Sequence, residues 1–286
     1  MCLMSGGLAW HAKDRVLDPA DHTLVMGILN VTPDSFSDGG RYLDPDAAVA
    51  HAVRMVEEGA DVIDVGGEST RPGSDPISVE EERARVLPVI ERLAAARPDV
   101  AISVDTRKPE VAEAALAAGA CIVNDVSAGR AEGMFEVVRA AGAGMVLMHM
   151  LGEPKTMQEA PHYEDVVGEV AAFLRERLEA ATAAGIEPEA LVVDPGIGFG
   201  KTLEHNLLLL RHLEALTELG RPVLVGPSRK RFIGAILGLP EAERDEGTLG
   251  AVAWAAAHGA SAVRVHDVRG TVRALRVLDA IARVER

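Results

Sequence analysis

Polar residues that could do chemistry follow short apolar runs throughout this chain. The first is Asn30, which ends the run at residues 24–29 and opens a segment, 30–40, rich in hydroxyls, carboxylates and glycines. Such a segment could be an ordinary connector, since Pro, Asp, Ser and Gly are common turn residues. A loop of this composition at the end of a buried strand is also where α/β barrel enzymes hold their ligands.

Carboxylates and an amide end three further apolar runs. They are Asp105, Asn124 and Asp194. Their oxygens could accept hydrogen bonds from a flat heterocycle that carries amino and ring N–H groups, and a carboxylate can take two such bonds in parallel. Alternatively, Asp105 and Asn124 could cap the helices that follow them, and Asp194 could belong to a plain turn.

Cationic donors occupy similar positions and could bind an anion. Arg71 follows the second apolar run, while Arg264 and His266 lie at the last one. Lys230 is one of only five lysines, and we expect it in the first turn of a short helix that starts near Ser228. Free backbone N–H groups at such a helix start also favour an anion, and Ser228 is a suitable N-cap.

Four other polar residues have more than one interpretation. Asn30 offers an amide oxygen to a hard cation such as Mg²⁺, which commonly accompanies a pyrophosphate. His149, between two methionines, is either a satisfied core histidine or a ligand. Lys201 follows a glycine loop and either only orients that loop or takes part in the site. Cys121 lies in an apolar run, which favours a small core residue over a reactive thiol.

Composition excludes several classes of protein. The net charge of −15 argues against nucleic acid or an anionic membrane as a partner, because both require a basic face. Two cysteines are too few for a disulfide framework. The longest uncharged run, 247–263, is shorter than the roughly 20 apolar residues that cross a bilayer, and residues 1–20 lack the apolar core of a signal peptide. We therefore expect a cytoplasmic protein.

The elements that must position these residues alternate regularly. Apolar runs suited to strands buried on both faces occur at 24–29, 62–65, 101–104, 122–123, 145–148, 191–193, 223–225 and 262–265. Helical patterns follow at 45–58, 79–96, 109–118, 133–141, 164–184, 203–219, 246–258 and 268–282, and glycine ends several of them. This predicts a single-domain α/β protein, a (β/α)8 TIM barrel at 23–286, with an N-terminal extension at 1–22 that closes the barrel bottom. A doubly wound open sheet is the alternative.

The motifs resemble those of the dihydropteroate synthases over residues 23–284. The longest are Asn-Val-Thr-Pro-Asp-Ser-Phe-Ser-Asp-Gly-Gly at 30–40, Asp-Val-Gly-Gly-Glu-Ser-Thr-Arg-Pro-Gly at 64–73 and Asp-Pro-Gly-Ile-Gly-Phe-Gly-Lys at 194–201. Shorter blocks lie at 104–106, 122–126, 148–150, 154–158, 228–230, 232–234 and 264–267, all in the family's order. The resemblance implies condensation of 6-hydroxymethyl-7,8-dihydropterin pyrophosphate with 4-aminobenzoate, giving 7,8-dihydropteroate and pyrophosphate.

The resemblance also implies a role for each candidate residue. The pterin-site residues are Asp105, Asn124, Asp194 and Lys230. The pyrophosphate and Mg²⁺ side is matched by Asn30, Arg71, Arg264 and His266, with Asn30 as the metal ligand. The aminobenzoate pocket is matched by Thr70, Pro72, Phe199, Ser228 and Lys230. The residues matched to catalysis are Asp105, Lys230, Arg264 and His266.

Further implications are a homodimer and inhibition by sulfonamides. The loops at 30–40 and 67–74 are long and rich enough in glycine to close over the site. Two rival functions stay open. A pterin-dependent methyltransferase would share the pterin carboxylates but would not need the residues at 228–230. A pterin-binding paralogue without synthase activity would not need Thr70, Arg71 or Lys230 intact.

Overall fold

A computed structural model describes residues 8–32, 44–70 and 73–284. A small antiparallel hairpin comes first, made of β1 (Trp10–Ala12) and β2 (Arg15–Leu17). The eight strands of the main sheet are β3 (Leu24–Asn30), β4 (Val62–Gly66), β5 (Ala101–Asp105), β6 (Ile122–Asp125), β7 (Gly144–Met148), β8 (Leu191–Asp194), β9 (Leu224–Val225) and β10 (Ala262–Val265). Each predicted run overlaps one of these strands, and the predicted bounds are confirmed to within two residues.

The main sheet closes into a barrel. Every ladder is parallel, and from β3 to β8 each strand pairs with the next one along the chain. β10 lies between β3 and β9, and a parallel bridge between Val193 and Val223 joins β8 to the start of β9. A doubly wound sheet would reverse its strand order and leave two edges. The open-sheet alternative is therefore wrong, and the (β/α)8 barrel is confirmed.

The helices surround the barrel. They are α1 (Pro45–Glu57), α2 (Val79–Ala96), α3 (Pro109–Ala118), α4 (Met134–Ala141), α5 (Val166–Ala183), α6 (Leu203–Arg211), α7 (Glu214–Thr217), α8 (Arg231–Leu237), α9 (Asp245–Ala257) and α10 (Val268–Arg283). Two expectations need correction. The helix predicted at 203–219 is broken into α6 and α7, and the short helix expected near Ser228 begins at Arg231.

Glycine sets the C-terminal ends of many helices, as the sequence predicted. The glycines at six helix-to-strand junctions have positive φ, where L-residues are strained: Gly59, Gly119, Gly142, Gly185, Gly220 and Gly259. At Gly119 an added Cβ would also come within 2.7 Å of the Ala94 side chain, so the junction allows close packing of α3 on α2.

The hairpin lies across the bottom of the barrel. Trp10 is 1% exposed and donates from its indole Nε1 to the carbonyl of Ala190 at 3.1 Å, next to the start of β8. It belongs to an apolar cluster with residues near the N-terminal ends of the strands, including Leu24 and Ala262. The N-terminal segment from residue 8 onward thus closes this end, as expected, while the boundary at residue 22 stays a prediction.

Two further predictions concern buried and membrane-spanning segments. Cys121 is a free thiol buried in the cluster beneath the strands, which confirms its interpretation as a core residue. In the part of the chain that the structure describes, no helix combines the length and the apolar composition that a bilayer-spanning segment requires.

Candidate active site

The strand register places the predicted polar residues at one end of the barrel. Asn30 is paired with Gly66 on the neighbouring strand, Gly66 with Asp105, and Asp105 with Asn124. Further round, Met148 is paired with Asp194. Because these are the last or nearly the last residues of parallel strands, their side chains can meet at the C-terminal mouth of the barrel.

Arg264 joins two carboxylates in this mouth. Its Nε donates to Asp64 Oδ2 at 2.6 Å and its Nη2 donates to Asp105 Oδ2 at 2.7 Å. Asn124 donates from Nδ2 to the same oxygen of Asp64 at 2.9 Å. Neither Asp105 nor Asn124 caps a helix, since α3 begins after Lys108 and α4 after Gly133. The alternative capping roles of Asp105 and Asn124 are therefore wrong.

Asp64 is a central residue that the sequence analysis did not assign. It is fully buried, and its Oδ1 has no hydrogen-bond partner among the described residues. A signal for it was available, because Asp64 is the one charged residue inside the apolar strand β4. A carboxylate at such a position must be paired or functional, since burying an unpaired charge costs several kcal/mol.

The electrostatics of this cluster depend on burial. Burial raises the pKa of Asp105 to about 7, although Arg264 acts in the opposite direction. Burial by itself would lower the pKa of Arg264, but Asp64 and Asp105 outweigh it and raise that pKa. The guanidinium therefore stays charged, while Asp105 changes its charge near neutral pH.

Asp194 and Lys230 form the second charged group of the mouth. Asp194 is 5% exposed, and burial raises its pKa, while Lys230 lowers it. Burial lowers the pKa of Lys230 to about 8, with Asp194 raising it and Arg264 lowering it further. Asp194 Oδ1 also accepts a hydrogen bond from Gly196 N at 2.7 Å. Asp194 therefore fixes a turn, as the alternative interpretation had it, and also faces the cationic groups of the site.

The loop that follows β8 contacts Lys230 at two points. Lys230 Nζ donates to the carbonyl of Ile197 and lies 4.7 Å from the centroid of the Phe199 ring. A cation over an aromatic face is attracted by the ring quadrupole. Phe199 itself packs on a small apolar cluster that includes Met148 and Met150. Phe199 and Lys230, which are far apart in sequence, are thus brought together.

Ser228 has a different contact from the expected one. It does not cap α8, because the residue before that helix is Lys230, which makes no side-chain cap. Instead Ser228 Oγ lies 2.9 Å from His266 Nδ1 and accepts from His266 N at 3.2 Å. The prediction that Lys230 sits within the helix's first turn is wrong for the same reason. Ser228 and His266 are brought together between β9 and β10.

Arg229 fixes the turn that carries Ser228 and Lys230. Its guanidinium makes two hydrogen bonds to Asp245, at 2.7 and 2.8 Å, and its backbone N donates to Thr248 Oγ1. Its φ of 53° is unusual for a residue other than glycine. The bidentate pair holds this strained backbone against α9, so Arg229 acts on the site through its neighbours.

The loop after β4 is anchored at its base. Glu68 accepts hydrogen bonds from Lys108 Nζ at 2.7 Å, from Arg107 Nε at 3.3 Å and from Ile77 N at 3.0 Å. Thr70 lies just beyond this anchor and is partly exposed. Arg71 and Pro72 lie outside the described residues, as do residues 33–43 of the loop after β3. The structure therefore fixes where the 67–74 loop begins but does not place two of its predicted ligands.

His149 is a core histidine in this structure. It is 6% exposed, and its ring meets Phe173 edge to face at 4.9 Å. Its Nδ1 lies 2.9 Å from the ammonium of Lys201, and burial lowers the pKa of His149 to about 3. Both ring contacts are internal, which favours the structural interpretation over a ligand role.

The predicted metal ligand is Asn30, the partly exposed last residue of β3. Within residues 8–32, 44–70 and 73–284, no group of three or more His, Cys, Asp or Glu side chains could hold a metal ion. One neutral amide oxygen fits Mg²⁺ as a single ligand, because this ion commonly keeps several waters and binds through substrate phosphates. The donor set therefore fits a metal that arrives with an anionic substrate.

Sequence and structure comparisons identify the family of this chain. The family model described as "Pterin binding enzyme" matches residues 26–266. Dihydropteroate synthase of Escherichia coli K12 is 51% identical over 259 residues, covering 91% of this chain and 92% of its own. The Xanthomonas albilineans dihydropteroate synthase solved with 4-aminobenzoic acid has a TM-score of 0.91 and 51% identity, covering 98% and 100% of the two chains.

A Yersinia pestis dihydropteroate synthase solved as a sulfonamide drug complex is similar to the same degree in structure. Its TM-score is 0.91 at 44% identity, with 96% of this chain and 100% of that chain covered. The barrel and its charged mouth therefore define a pterin-binding enzyme. More narrowly, the chain belongs to the dihydropteroate synthase family, whose members are transferases.

Proposed function

We propose that this protein condenses 6-hydroxymethyl-7,8-dihydropterin pyrophosphate with 4-aminobenzoate, giving 7,8-dihydropteroate and pyrophosphate in folate biosynthesis. The observation that carries the proposal is the arrangement in which Arg264 joins Asp64 and Asp105 beside Asp194 and Lys230. This mouth offers carboxylates for a pterin ring and cations for the anionic groups of both substrates. The family relatives carry the same activity in their names.

The pterin ring fits the carboxylate side of the mouth. Asp194 can accept two parallel hydrogen bonds from the 2-amino group and the adjacent ring N–H, which together resemble a guanidine edge. Asn124 offers an amide whose Nδ2 is bound to Asp64 Oδ2, so its oxygen is directed by that bond. Lys230 can donate to the ring carbonyl from beside Asp194. Asp105 then lies against the part of the ring from which the reacting CH₂ group extends.

The pyrophosphate fits the cationic side. Two of the five N–H donors of Arg264 are used by Asp64 and Asp105, and the others can bind phosphate oxygens. His266, held by Ser228, and Arg71 complete this side of the proposed site. Mg²⁺ held by Asn30 and the pyrophosphate would neutralise charge that develops on the leaving group. The protein's own contribution here is to orient the leaving group in line with the CH₂ group.

The aminobenzoate fits between the two loops at the rim. Phe199 offers a flat face for the ring, and Ser228 with Lys230 offers donors for the carboxylate. Thr70 and Pro72 would close the pocket from the opposite loop. The same pocket accounts for inhibition by sulfonamides, which imitate aminobenzoate.

The chemistry follows from these positions. An aniline nitrogen is a modest nucleophile, so departure of pyrophosphate can run ahead of attack, with the electron-rich pterin ring stabilising the CH₂ group. The positive charge that develops in the ring is offset by Asp105, while Arg264 and His266 offset the negative charge on the pyrophosphate. The amine loses one proton to solvent after attack, and no covalent enzyme intermediate is needed.

The test is a pyrophosphate-release assay with the full-length protein. Release should require both the pterin pyrophosphate and 4-aminobenzoate, and dihydropteroate should form in equal amount. Release without 4-aminobenzoate would instead indicate hydrolysis. Tight pterin binding with no release under any condition would indicate a binding paralogue.

We also propose a homodimer, formed through an apolar face of α6, α8 and α9. This face consists of Leu207, Ile236, Leu237 and Trp254, which are between 42% and 57% exposed. They line a groove of about 600 Å³ together with the small residues Gly247, Gly250 and Ala251. Trp254 is held rigid by a hydrogen bond to Leu210 O and by stacking on His258. Rigid apolar groups beside a groove of small residues suit a two-fold interface between identical copies.

Light scattering on Ile236→Glu and Trp254→Glu tests this dimer. The wild type should have the mass of two chains and each variant the mass of one. Ile281→Glu is the matched control, because Ile281 on α10 is 69% exposed but does not line the groove. A monomeric wild type, or an Ile281→Glu protein that also dissociates, would contradict the proposal.

The cytoplasm stays the expected location, consistent with the free thiol of Cys121.

A further inference from the structure

Lys201 is a buried lysine at the end of the loop formed by residues 195–200. It is only 3% exposed, and burial lowers the pKa of its amine to about 7, against the raising effect of Asp194. Its Nζ lies 2.9 Å from His149 Nδ1, 3.0 Å from the carbonyl oxygen of Phe199 and 3.4 Å from that of His149. The protonated amine has three N–H donors, so these three acceptors can use all of them. The sequence left open whether this residue only orients the loop.

The partner of Lys201 is itself fixed. His149 is buried between Tyr163 and Phe173, and its ring lies edge-on to Phe173. Burial and the charge of Lys201 lower the pKa of His149 to about 3, so the imidazole stays neutral. Its Nδ1 can therefore accept a hydrogen bond from Lys201 Nζ. Lys201 is therefore attached to a rigid part of the barrel wall.

The 195–200 loop is pressed against the segment that carries His149. Gly196, Gly198 and Gly200 all have positive φ. A Cβ at Gly196 would collide with the His149 carbonyl, and one at Gly200 would come within 2.6 Å of the Leu151 carbonyl. The three glycines add no side-chain packing, so the packing of Ile197 and Phe199 together with hydrogen bonds from outside the loop must select its conformation. Lys201 spans the contact, since it binds a carbonyl on each side.

A second tether comes from α6. Asn206 Oδ1 accepts from Gly198 N at 2.6 Å, and Asn206 Nδ2 donates to Thr202 O at 2.6 Å. Asn206 thus holds Gly198 and Lys201 holds the carbonyl of Phe199, and Gln158 Nε2 adds a hydrogen bond to the carbonyl of Gly198 at 2.7 Å. What the loop presents to the mouth is the Ile197 carbonyl, bound by Lys230, and the Phe199 ring beneath that same ammonium.

We propose that Lys201 is a positioning residue for the second substrate: it holds the 195–200 loop so that Phe199 and Lys230 form the aminobenzoate side of the site. This rests on the proposed assignment of Phe199 and Lys230 to that pocket. On the pterin side, Asp105 and Asn124 lie on strand ends outside this loop, and Asp194 and Lys230 each contact it at one backbone group, whereas Phe199 belongs to the loop itself. Loss of Lys201 should therefore affect the two substrates unequally, which a general loss of stability would not do.

The experiment compares Lys201→Met, Asn206→Ala and Phe199→Ala with the wild-type protein. Methionine keeps the length of the side chain but removes its three donors. For each protein the KM for 4-aminobenzoate, the sulfonamide affinity in the presence of Mg-pyrophosphate, and the pterin affinity by calorimetry are measured. Lys201→Met should raise the aminobenzoate KM and weaken sulfonamide binding by roughly tenfold or more, equivalent to about 1.4 kcal/mol, with pterin affinity within about threefold.

The outcomes test the role of Lys201 and the assignment of Phe199 to the aminobenzoate pocket. Equal losses for both ligands, or no loss, in Lys201→Met would overturn the proposal. If Lys201→Met does not fold, Asn206→Ala decides in its place, because it removes the hydrogen bond to Gly198 N beside Phe199 and should show the same unequal loss. Phe199→Ala tests the pocket assignment separately from the role of Lys201. Unchanged aminobenzoate affinity in Phe199→Ala would refute the pocket assignment. Weaker aminobenzoate binding in Phe199→Ala but not in Lys201→Met would refute only the role of Lys201.

Discussion

Replacing Asp105 with Asn tests the central electrostatic claim about this site. The change keeps the shape of the side chain and an oxygen that can accept a hydrogen bond from Arg264 Nη2. In the wild-type protein this bond is 2.7 Å long. It removes one charge. Asp64, Asp105 and Arg264 together carry one net negative charge when both acids are ionised. In the Asp105→Asn protein the charges of Asp64 and Arg264 balance, and this group becomes neutral.

The size of the effect follows from that charge. The excess negative charge is what would offset a positive charge developing in the pterin ring as pyrophosphate departs. Losing a preorganised group at a developing charge typically costs about 2.7–4 kcal/mol. We therefore expect turnover at pH 8 to fall by roughly a hundredfold to a thousandfold.

The pH dependence gives a sharper measurement. Burial raises the pKa of Asp105 to about 7 in the ligand-free protein. Protonation as the pH falls through this value makes the wild type neutral at this position, like the variant. The wild-type advantage in kcat/KM for the pterin pyrophosphate should therefore shrink by about tenfold between pH 8 and pH 6, because kcat/KM reports the ionisations of the free enzyme.

The control is Asp99→Asn, which removes an exposed carboxylate paired with Arg97 just before β5 begins. This variant should keep wild-type kinetics at every pH. The reasoning is refuted if Asp105→Asn, with unchanged thermal stability, stays within threefold of the wild type at pH 8. It is also refuted if a large difference is the same at pH 6 and pH 8.

Two further predictions concern the anion site and the rim loops. Because Asn30 is the single protein ligand proposed for Mg²⁺, calorimetry should show weak binding of the metal to the ligand-free protein and much tighter binding with pyrophosphate present; tight binding to the free protein would contradict this. A sulfonamide should bind better once Mg-pyrophosphate is present, with a coupling of about 1–3 kcal/mol, and Arg71→Ala should reduce that coupling more than it reduces pterin affinity. Equal sulfonamide affinity with and without Mg-pyrophosphate would show that the pocket is preformed.

The sequence predicted the barrel because its signals are local and repeated. Runs such as 101–104 and 262–265 are apolar on both faces, which is typical of strands covered by helices. Glycines such as Gly119 mark helix ends through a backbone conformation that few other residues adopt. The single helix predicted at 203–219 is wrong because a local pattern was misleading. The apolar spacing continues through residues 212–213, but the helical backbone is interrupted there.

Site prediction from sequence was limited to residue types at strand ends. Asp105, Asn124 and Asp194 could be identified as candidates because polar residues end apolar runs. Asp64 was passed over because it lies within a strand, and its importance depends on partners that are 60 and 200 residues away. Ser228 was expected to cap a helix by its local context, whereas its actual contact is His266, directly after the next strand.

The amino-acid sequence by itself therefore determined the alternation of strands and helices, the end of the barrel that carries the chemistry, and the family to which the chain belongs. These follow from periodicity, local backbone preference and motif order, all of which are written along the chain. The tertiary structure decided which of the polar residues form pairs, which side chains lose their water, and how far each pKa moves. Those properties depend on distances between residues such as Asp64 and Arg264, and only closure of the barrel brings them within hydrogen-bonding range.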